Sequence, residues 1–376
     1  MNFGFTEEQE MIRSQAAEFF KQEYPIALVR ESLADDRGFN QDLWDKMSGL
    51  GWLSLVFPEE YRGAGLTFVE LTVLLEQMGR VLVPGAFFST VLLGGVAILE
   101  SGSPEQKSRW LKAIAEGNLK TTLAHIEPDG NRDARVTAKG AGNGYVISGT
   151  KLFVPDAHSA DLIICAAPTS ESSNPTEGIS LFAVDRRSTG LNTTALRTMD
   201  QTRRLYEVTL NQVHVPEDHV LGAVASAWST IENVLCKATI GRCAEMVGGA
   251  QKMLDMCVEY AKQRVQFGRP IGSFQAIQHK CADMLLLIES ARSAVYAAAC
   301  AASQDSKDTA LLASVAKAYT SDACRFVAGE AIQIHGGMGF TWEHDAHLYF
   351  KRAKADEISF GDAIYHRARV AQLIGL

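Results

Sequence analysis

The stretch YAKQRVQFGRPIGSFQAIQHKCADM, Tyr260 to Met284, decides how the rest of the chain is read. Upstream of it, Val247, Ala250, Leu254, Cys257, Val258 and Ala261 recur at the spacing of one helix face. Gly268-Arg269-Pro270 then ends that helix, because proline has no N–H to donate and biases its predecessor away from the α region. Beyond the break, Phe274, Ile277, Cys281, Met284, Leu285 and Ile288 predict a second helical stripe, with Ser273 as its cap. An arginine, a glutamine and an aromatic residue are therefore held at a sharp break between two long, apolar-faced helices. Taken by itself, the pattern is that of a solvated helical hairpin.

Working outward, 376 residues suffice for two or three domains with a sizeable core. Hydrophobic residues make up 47% and charged ones 21%, the balance of a soluble globular protein. A net charge of −8 argues against a nucleic-acid-binding surface, and an anionic substrate would need a local basic patch. The seven cysteines are scattered, without a CxxC pair, and several fall on apolar helix stripes, so a reducing compartment is expected and no metal is assigned. Glu7, Glu8 and Glu10 stand where a signal peptide would be basic. The uncharged run Val81–Leu99 nears membrane-spanning length, but Pro84, Gly85, Gly94 and Gly95 interrupt it, so it reads as a turn and a buried helix. A cytoplasmic protein with no membrane partner is expected.

Residues 1–118 read as helices. Thr6 and Gln9 form one capping box, and Ser103, Pro104 and Gln106 form another. Over 119–225 the period changes: Arg135–Thr137, Gly144–Ile147, Leu162–Ala166, Ser180–Val184 and Tyr206–Val215 are short β-rich runs between turn signals, as in a small barrel or sandwich. Residues 226–376 return to helix in five segments, near 226–266, 273–303, 308–334, 343–356 and 361–374. The order is a mainly α chain with a central β domain.

The wording of several of these segments resembles the acyl-CoA dehydrogenases. RVQFGRPIGSFQ followed by K-x-A-D-M, the loop EEYRGAGL (Glu59–Leu66), Ile147–Val154 read as I-x-G-x-K-x-F-V, VHVP at Val213–Pro216 and QIHGGMGF at Gln333–Phe340 all carry the likeness, which spans the chain. It implies three domains, N-terminal helical, central β and a C-terminal four-helix bundle, with FAD as cofactor. It also implies an acyl-CoA substrate, an electron-transfer flavoprotein as acceptor, and a homo- or hetero-oligomer built as a dimer of dimers.

The resemblance implies that Arg264, Gln266 and Phe267, with Gln275 beside them, serve the FAD pyrophosphate and adenosine of a neighbouring subunit. Gln333, Gly336 and Gly337 form the adenosine-contacting turn, where paired glycines let backbone approach a ligand closely. Phe153 and Val154 stand at the flavin ring edge. There Pro155 replaces a hydroxyl donor of many members, and the loop Ile126–Asp133 keeps only Glu127 and Pro128 of the family's T-E-P motif.

The family reaction needs a carboxylate against the substrate Cα and an oxyanion site at the thioester carbonyl. Of the two positions that carry the glutamate in family members, one falls here on Phe360 in ISFGD and the other on Ala238 in CKATIG. Neither side chain accepts a proton. Three explanations stand. Asp362 is the candidate catalytic base from a shifted turn, with a helix cap as its competing role. Glu245 shares the face of Ala238, but two helical turns, roughly 10 Å, separate them. Third, the chain is the base-lacking, FAD-sharing half of an α2β2 heterotetramer, like subunits of some steroid-side-chain acyl-CoA dehydrogenases. The leading expectation is FAD-dependent α,β-dehydrogenation of an acyl-CoA, the partner subunit is the alternative, and a flavin oxidase of the same fold is a third reading. His335, His344 and His347 read as a solvated helix start, Trp342 as packing, and Arg203-Arg204 as a surface pair within reach of CoA phosphates.

Overall fold

The computed structural model describes residues 4–35, 38–128, 135–170, 172 and 174–376. The chain divides into two compact units, one of 1–30, 67–83 and 236–376, the other of 31–66 and 84–235.

The first unit is helical. Its N-terminal helix α1 (Glu7–Glu23) opens on the Thr6–Gln9 capping box. Helix α2 (Ile26–Ala34) follows, then α3 (Gln41–Gly49) in the second unit, and α4 (Phe68–Arg80) starts on a second box, Thr67 with Glu70. The long α7 (Trp228–Gln263) belongs to this unit from Cys236 on and buries Val247, Ala250, Leu254, Cys257 and Ala261, the expected stripe. It meets α4 backbone to backbone. A Cβ built on Gly79 would stand 2.0 Å from the Glu245 carbonyl oxygen, and one on Gly248 would stand 1.9 Å from that of Glu76. Glycine is needed at both because the two helix backbones leave no room for a methyl group. On another side of α4, Glu76 accepts from Arg292 Nε and from the Tyr296 hydroxyl, residues of the next long helix, each at 3.0 Å.

Between α7 and α8 (Gln275–Ser303) the break is a tight antiparallel hairpin, β9 (Val265–Gln266) against β10 (Arg269–Pro270), closed by Phe267 at φ +53° and Gly268 at φ +78°. Two expectations are corrected here. Ser273 does not cap α8: its hydroxyl donates to the Pro270 carbonyl at 2.7 Å within a short 3-10 turn, and Phe274 holds the cap position. The α8 stripe is fully buried only at Met284 and Ile288, while Phe274, Ile277 and Cys281 are half-buried and Leu285 is exposed; the second half of α8 is buried more completely. There Ala298, Ala299, Ala301 and Ala302 bring α8 close to α9 (Thr309–His335), as small side chains allow. On composition alone α8 is long and apolar enough to cross a membrane, yet it carries Lys280, Asp283, Glu289 and Arg292. The unit ends with α10 (Ala346–Ile358) and α11 (Ala363–Leu373).

The second unit holds α5 (Ser89–Ser101), α6 (Pro104–Ala115) and the β domain. The turn and buried helix expected at Val81–Leu99 are present, and α5 opens as a π-helical stretch, Ser89–Gly95. One sheet has the order β1-β4-β5-β8: Thr121–Ala124, Leu162–Pro168, Ile179–Asp185 and Val220–Leu221. The other has the order β2-β3-β7-β6: Thr137–Ala141, Gly144–Pro155, Leu205–Pro216 and Leu191–Ala195. Among the described residues, only β1 with β4 is parallel. The sheets share one core in which Val136, Ile147, Val154, Ile163, Phe182 and Val208 interdigitate, a sandwich of alternating inward side chains, each contributing about 1.5–3 kcal/mol by burial. Strands β1 and β6 carried no clear sequence signal, and β2 begins only at Thr137, so the expected run Arg135–Thr137 meets its first residue alone. Most of the loop Ile126–Asp133 lies outside the described residues.

Candidate active site

In the first unit the structure gathers most of the expected cofactor residues at one end of the helical bundle. Arg264, Gln266 and Phe267 ride on the β9–β10 hairpin, and the Arg264 carbonyl accepts from Ile271 N at 2.8 Å. All three are exposed, Phe267 to 93%. Gln275, the first residue of α8, is exposed beside them, with Phe267 edge-on to Phe274 and the Arg269 guanidinium 4.2 Å from the centre of the Phe274 ring. Gln333 is exposed on the last turn of α9, which ends at Gly336 with φ +61°. A Cβ on Gly336 or Gly337 would meet nothing within 4 Å, so their backbone faces open space. An exposed cation with an exposed amide near it, and bare glycine backbone with room before it, fit a pyrophosphate and an adenosine.

Phe153 and Val154 belong to the second unit, in the β sandwich. The β3–β7 ladder slips between Lys151 and Val154, and within that bulge Phe153 takes φ +53°, turning its ring out to 50% exposure while Val154 points into the core. A strained aromatic held at a bulge is a fit platform for a flat ring. Pro155 offers no N–H; its carbonyl accepts from the buried Thr122 hydroxyl at 2.7 Å. Sequence reasoning missed the pair behind the bulge, the buried ammonium of Lys151 at 2.7 Å from Glu127. Both belonged to motifs that had been noted, without a reason to link them. Burial, with the Lys151 charge second, holds the His125 imidazole down at about 4.

The segment ISFGD forms the turn between α10 and α11. Phe360 adopts φ +59° and Gly361 φ +101°. The buried Lys317 ammonium on α9 donates to the carbonyls of Asp356 (2.8 Å) and Glu357 (2.9 Å) and to the Ser321 hydroxyl of its own helix (2.9 Å), so two of its three protons cap the C-terminus of α10. Burial pulls Lys317 below the ordinary lysine value. His366 Nε2 donates to the Phe360 carbonyl at 3.0 Å. The Arg242 guanidinium, paired with Glu245 at 2.6 Å and 3.6 Å from Asp356, sits 5.8 Å from the centre of the Phe360 ring. Glu245 is thus engaged by Arg242. Asp362 Oδ1 accepts from Tyr365 N at 2.8 Å, so its carboxylate performs the helix cap that competed with the catalytic role. Replacing it with Ala should cost α11 about 1 kcal/mol and Asn almost nothing, read as a shift in thermal midpoint.

His366 makes this turn sensitive to acid. Burial, opposed by its bond to Phe360, lowers its value from 6.5 to about 4. A group depressed on folding stabilises above its unfolded value and loses that contribution as pH falls through the folded one. Thermal midpoints should therefore drop between pH 6.5 and about 4, and His366→Asn, which can still donate to Phe360, should flatten part of that drop.

Other residues find plain roles. Arg204 donates to the Leu33 and Asp35 carbonyls and so caps α2, a role the surface reading did not foresee. His335 is buried. Trp342, read as packing, is 55% exposed, stacked on His347 with the Lys351 ammonium 4.9 Å away. Burial pushes the Cys165 thiol to about 11 and those of Cys243 and Cys257 to about 12, so none of these is a nucleophile at neutral pH.

Family models for the N-terminal, middle and C-terminal domains of acyl-CoA dehydrogenases match residues 6–118, 123–213 and 228–375. The chain belongs to the acyl-CoA dehydrogenase family. Its members are FAD-dependent oxidoreductases acting on the CH–CH bond of acyl-CoA. The acyl-CoA dehydrogenase IpdE2 of Mycobacterium tuberculosis is 34% identical, over 92% of this chain and 91% of its own. CarC of Acetobacterium woodii, a subunit of a caffeyl-CoA reductase–Etf complex, is 31% identical over 95% of both. A chain of the ChsE4–ChsE5 complex of M. tuberculosis superposes with a TM-score of 0.90 at 27% identity, covering 100% of each chain. Residues that hold and orient the cofactor's nucleotide half would be Arg264, Gln266, Gln333 and the Gly336–Gly337 backbone; the bound flavin supplies the hydride acceptor.

Proposed function

We propose that the chain takes part in α,β-dehydrogenation of an acyl-CoA thioester as the base-lacking, FAD-sharing subunit of an α2β2 dehydrogenase. A Glu-bearing homologous subunit supplies the base, and electrons pass to an electron-transfer flavoprotein. One observation carries this reading. The two positions that bear the glutamate in family members are Phe360 and Ala238, and the neighbouring Asp362 is engaged as the cap of α11. The exposed Phe267 hairpin and the open Gly336–Gly337 turn support the sharing, because a chain that displays them expects a neighbour's cofactor against them. The likeness to a chain of the ChsE4–ChsE5 complex and to CarC of an Etf complex supports the partners.

The test is an anaerobic titration. The chain purified alone, and the chain co-purified with a homologous Glu-bearing subunit, are each given a panel of acyl-CoAs while flavin absorbance is followed. Bleaching only in the co-purified sample supports the reading. Bleaching by the chain alone overturns it and returns Asp362 to the role of base.

A further inference from the structure

His335 ends α9 directly before Gly336, and its ring is 3% exposed. Its Nδ1 donates to the Ala331 carbonyl, one turn back, at 2.7 Å, which fixes the ring against its own helix. The ring lies 4.7 Å from that of Tyr260 on α7, at an interplanar angle of 31°. It lies 4.5 Å from the ring of His344, on the segment leading out of the glycine turn. The Cys257 sulfur closes a further side at 3.9 Å. Two cofactor-facing pieces hang from these contacts. The Tyr260 carbonyl accepts from Arg264 N at 2.8 Å, so Tyr260 sets where the β9–β10 hairpin leaves α7. A Cβ on Gly339 would stand 3.2 Å from His335 Cβ, so the turn Gly336–Phe340 folds back onto the His335 side chain.

We infer that His335 is a positioning residue: its ring couples the Arg264 hairpin to the Gly336–Gly337 turn, so that the two present one preset surface to the cofactor's nucleotide half. This rests on the reading of those two turns as the adenosine and pyrophosphate side. Neither piece is stiff alone: the hairpin has only a two-residue ladder, and the turn is glycine-rich. Binding across two independently moving pieces requires ordering both, and that cost is removed when they are tied in advance.

The test compares FAD affinity with stability in the FAD-binding assembly. His335→Ala, His335→Phe, Arg264→Ser and Val295→Ala are stripped of flavin, and FAD dissociation constants are measured by fluorescence titration beside thermal midpoints of the apo-proteins. Val295 is buried on α8 and serves as a variant that destabilises the bundle only. Loss of the ring contacts in His335→Ala should weaken FAD by about tenfold relative to Val295→Ala, and His335→Phe, which keeps a ring there, should recover most of it. If Arg264→Ser weakens FAD while His335→Ala binds it as Val295→Ala does, His335 is merely structural and the inference fails. His335→Phe binding as weakly as His335→Ala also overturns it. An Arg264→Ser protein with unaltered affinity sinks the underlying assignment of the hairpin instead.

Discussion

Phe360→Glu in the FAD-loaded protein should raise the rate of flavin reduction by an acyl-CoA at least about a hundredfold, the lower range of what a positioned general base contributes. The argument is that the turn between α10 and α11 is held independently of the side chain it presents. A non-glycine residue at φ +59° is strained by roughly 1–3 kcal/mol and persists only where its surroundings over-determine it. They do so here through Lys317 on the Asp356 and Glu357 carbonyls, His366 on the Phe360 carbonyl, and Asp362 on Tyr365 N. None of these bonds uses the Phe360 side chain, so a glutamate inherits the backbone unchanged. Its carboxyl carbon would reach about as far from Cα as the present ring centre, near the Arg242 guanidinium, and a cation there favours the ionised, proton-accepting form. In the reaction that carboxylate takes the α-proton while the β-hydride passes to the flavin, leaving the 2-enoyl thioester. Adding Lys317→Met to Phe360→Glu should undo most of the gain while FAD stays bound, because α10 then loses the donor that fixes where the turn begins. Stopped-flow bleaching at 450 nm reads both variants. A Phe360→Glu protein that holds FAD yet is bleached no faster than the wild type would remove this turn from the active site.

The parts of the fold legible in the sequence were those written in short-range periodicity. The helices at both ends followed from apolar spacing and caps: Thr6 with Gln9, and Ser103 with Gln106, form the boxes their letters predict. The helix break at Gly268-Arg269-Pro270 followed from proline and glycine chemistry, but the two-residue β ladder that closes it did not. Strands β1 and β6 were missed because Thr121–Ala124 is buried at every residue and Leu191–Ala195 is mostly polar, so neither alternates. Ser273 failed as a cap because a cap is a competition for one hydroxyl, and a 3-10 turn won it. For the site, letters located the two turns that carry Arg264 and Gly336, but not what steadies them. Lys317 sits in an alanine-rich helical stripe, and His335 was read with His344 and His347 as a solvated helix start, whereas it is buried. Their roles arise from contacts across the bundle with Asp356 and Tyr260, at separations no local window spans.

Two adjacent glycines of α7 should respond in opposite ways to the same substitution. Gly248→Ala should lower the thermal midpoint strongly, whereas Gly249→Ala should leave it unchanged or raise it slightly. In a helix interior, alanine is favoured over glycine by about 1 kcal/mol, so propensity alone predicts that both changes stabilise. What separates them is the direction each Cβ takes. At Gly248 the new methyl would stand 1.9 Å from the Glu76 carbonyl oxygen and 3.0 Å from Arg80 N. Both are backbone atoms of α4, so no rotamer change relieves the overlap and the helices must separate. Glu76 also accepts from Arg292 and Tyr296 of α8, each at 3.0 Å, so α4 is held on a second side and is not free to shift without loss. Overpacking of this kind costs about 1–3 kcal/mol where side chains can yield, and more where backbone is struck. At Gly249 the nearest atoms to the new methyl are the Gly79 carbonyl oxygen at 3.6 Å and Tyr349 Cδ1 at 3.8 Å, ordinary contacts, so the propensity gain survives. Parallel melts of the two variants decide the matter. A Gly248→Ala protein at least as stable as the wild type would mean that α4 and α7 do not meet backbone to backbone. Equal losses in both variants would mean that helix contact, rather than this one direction of approach, governs the position.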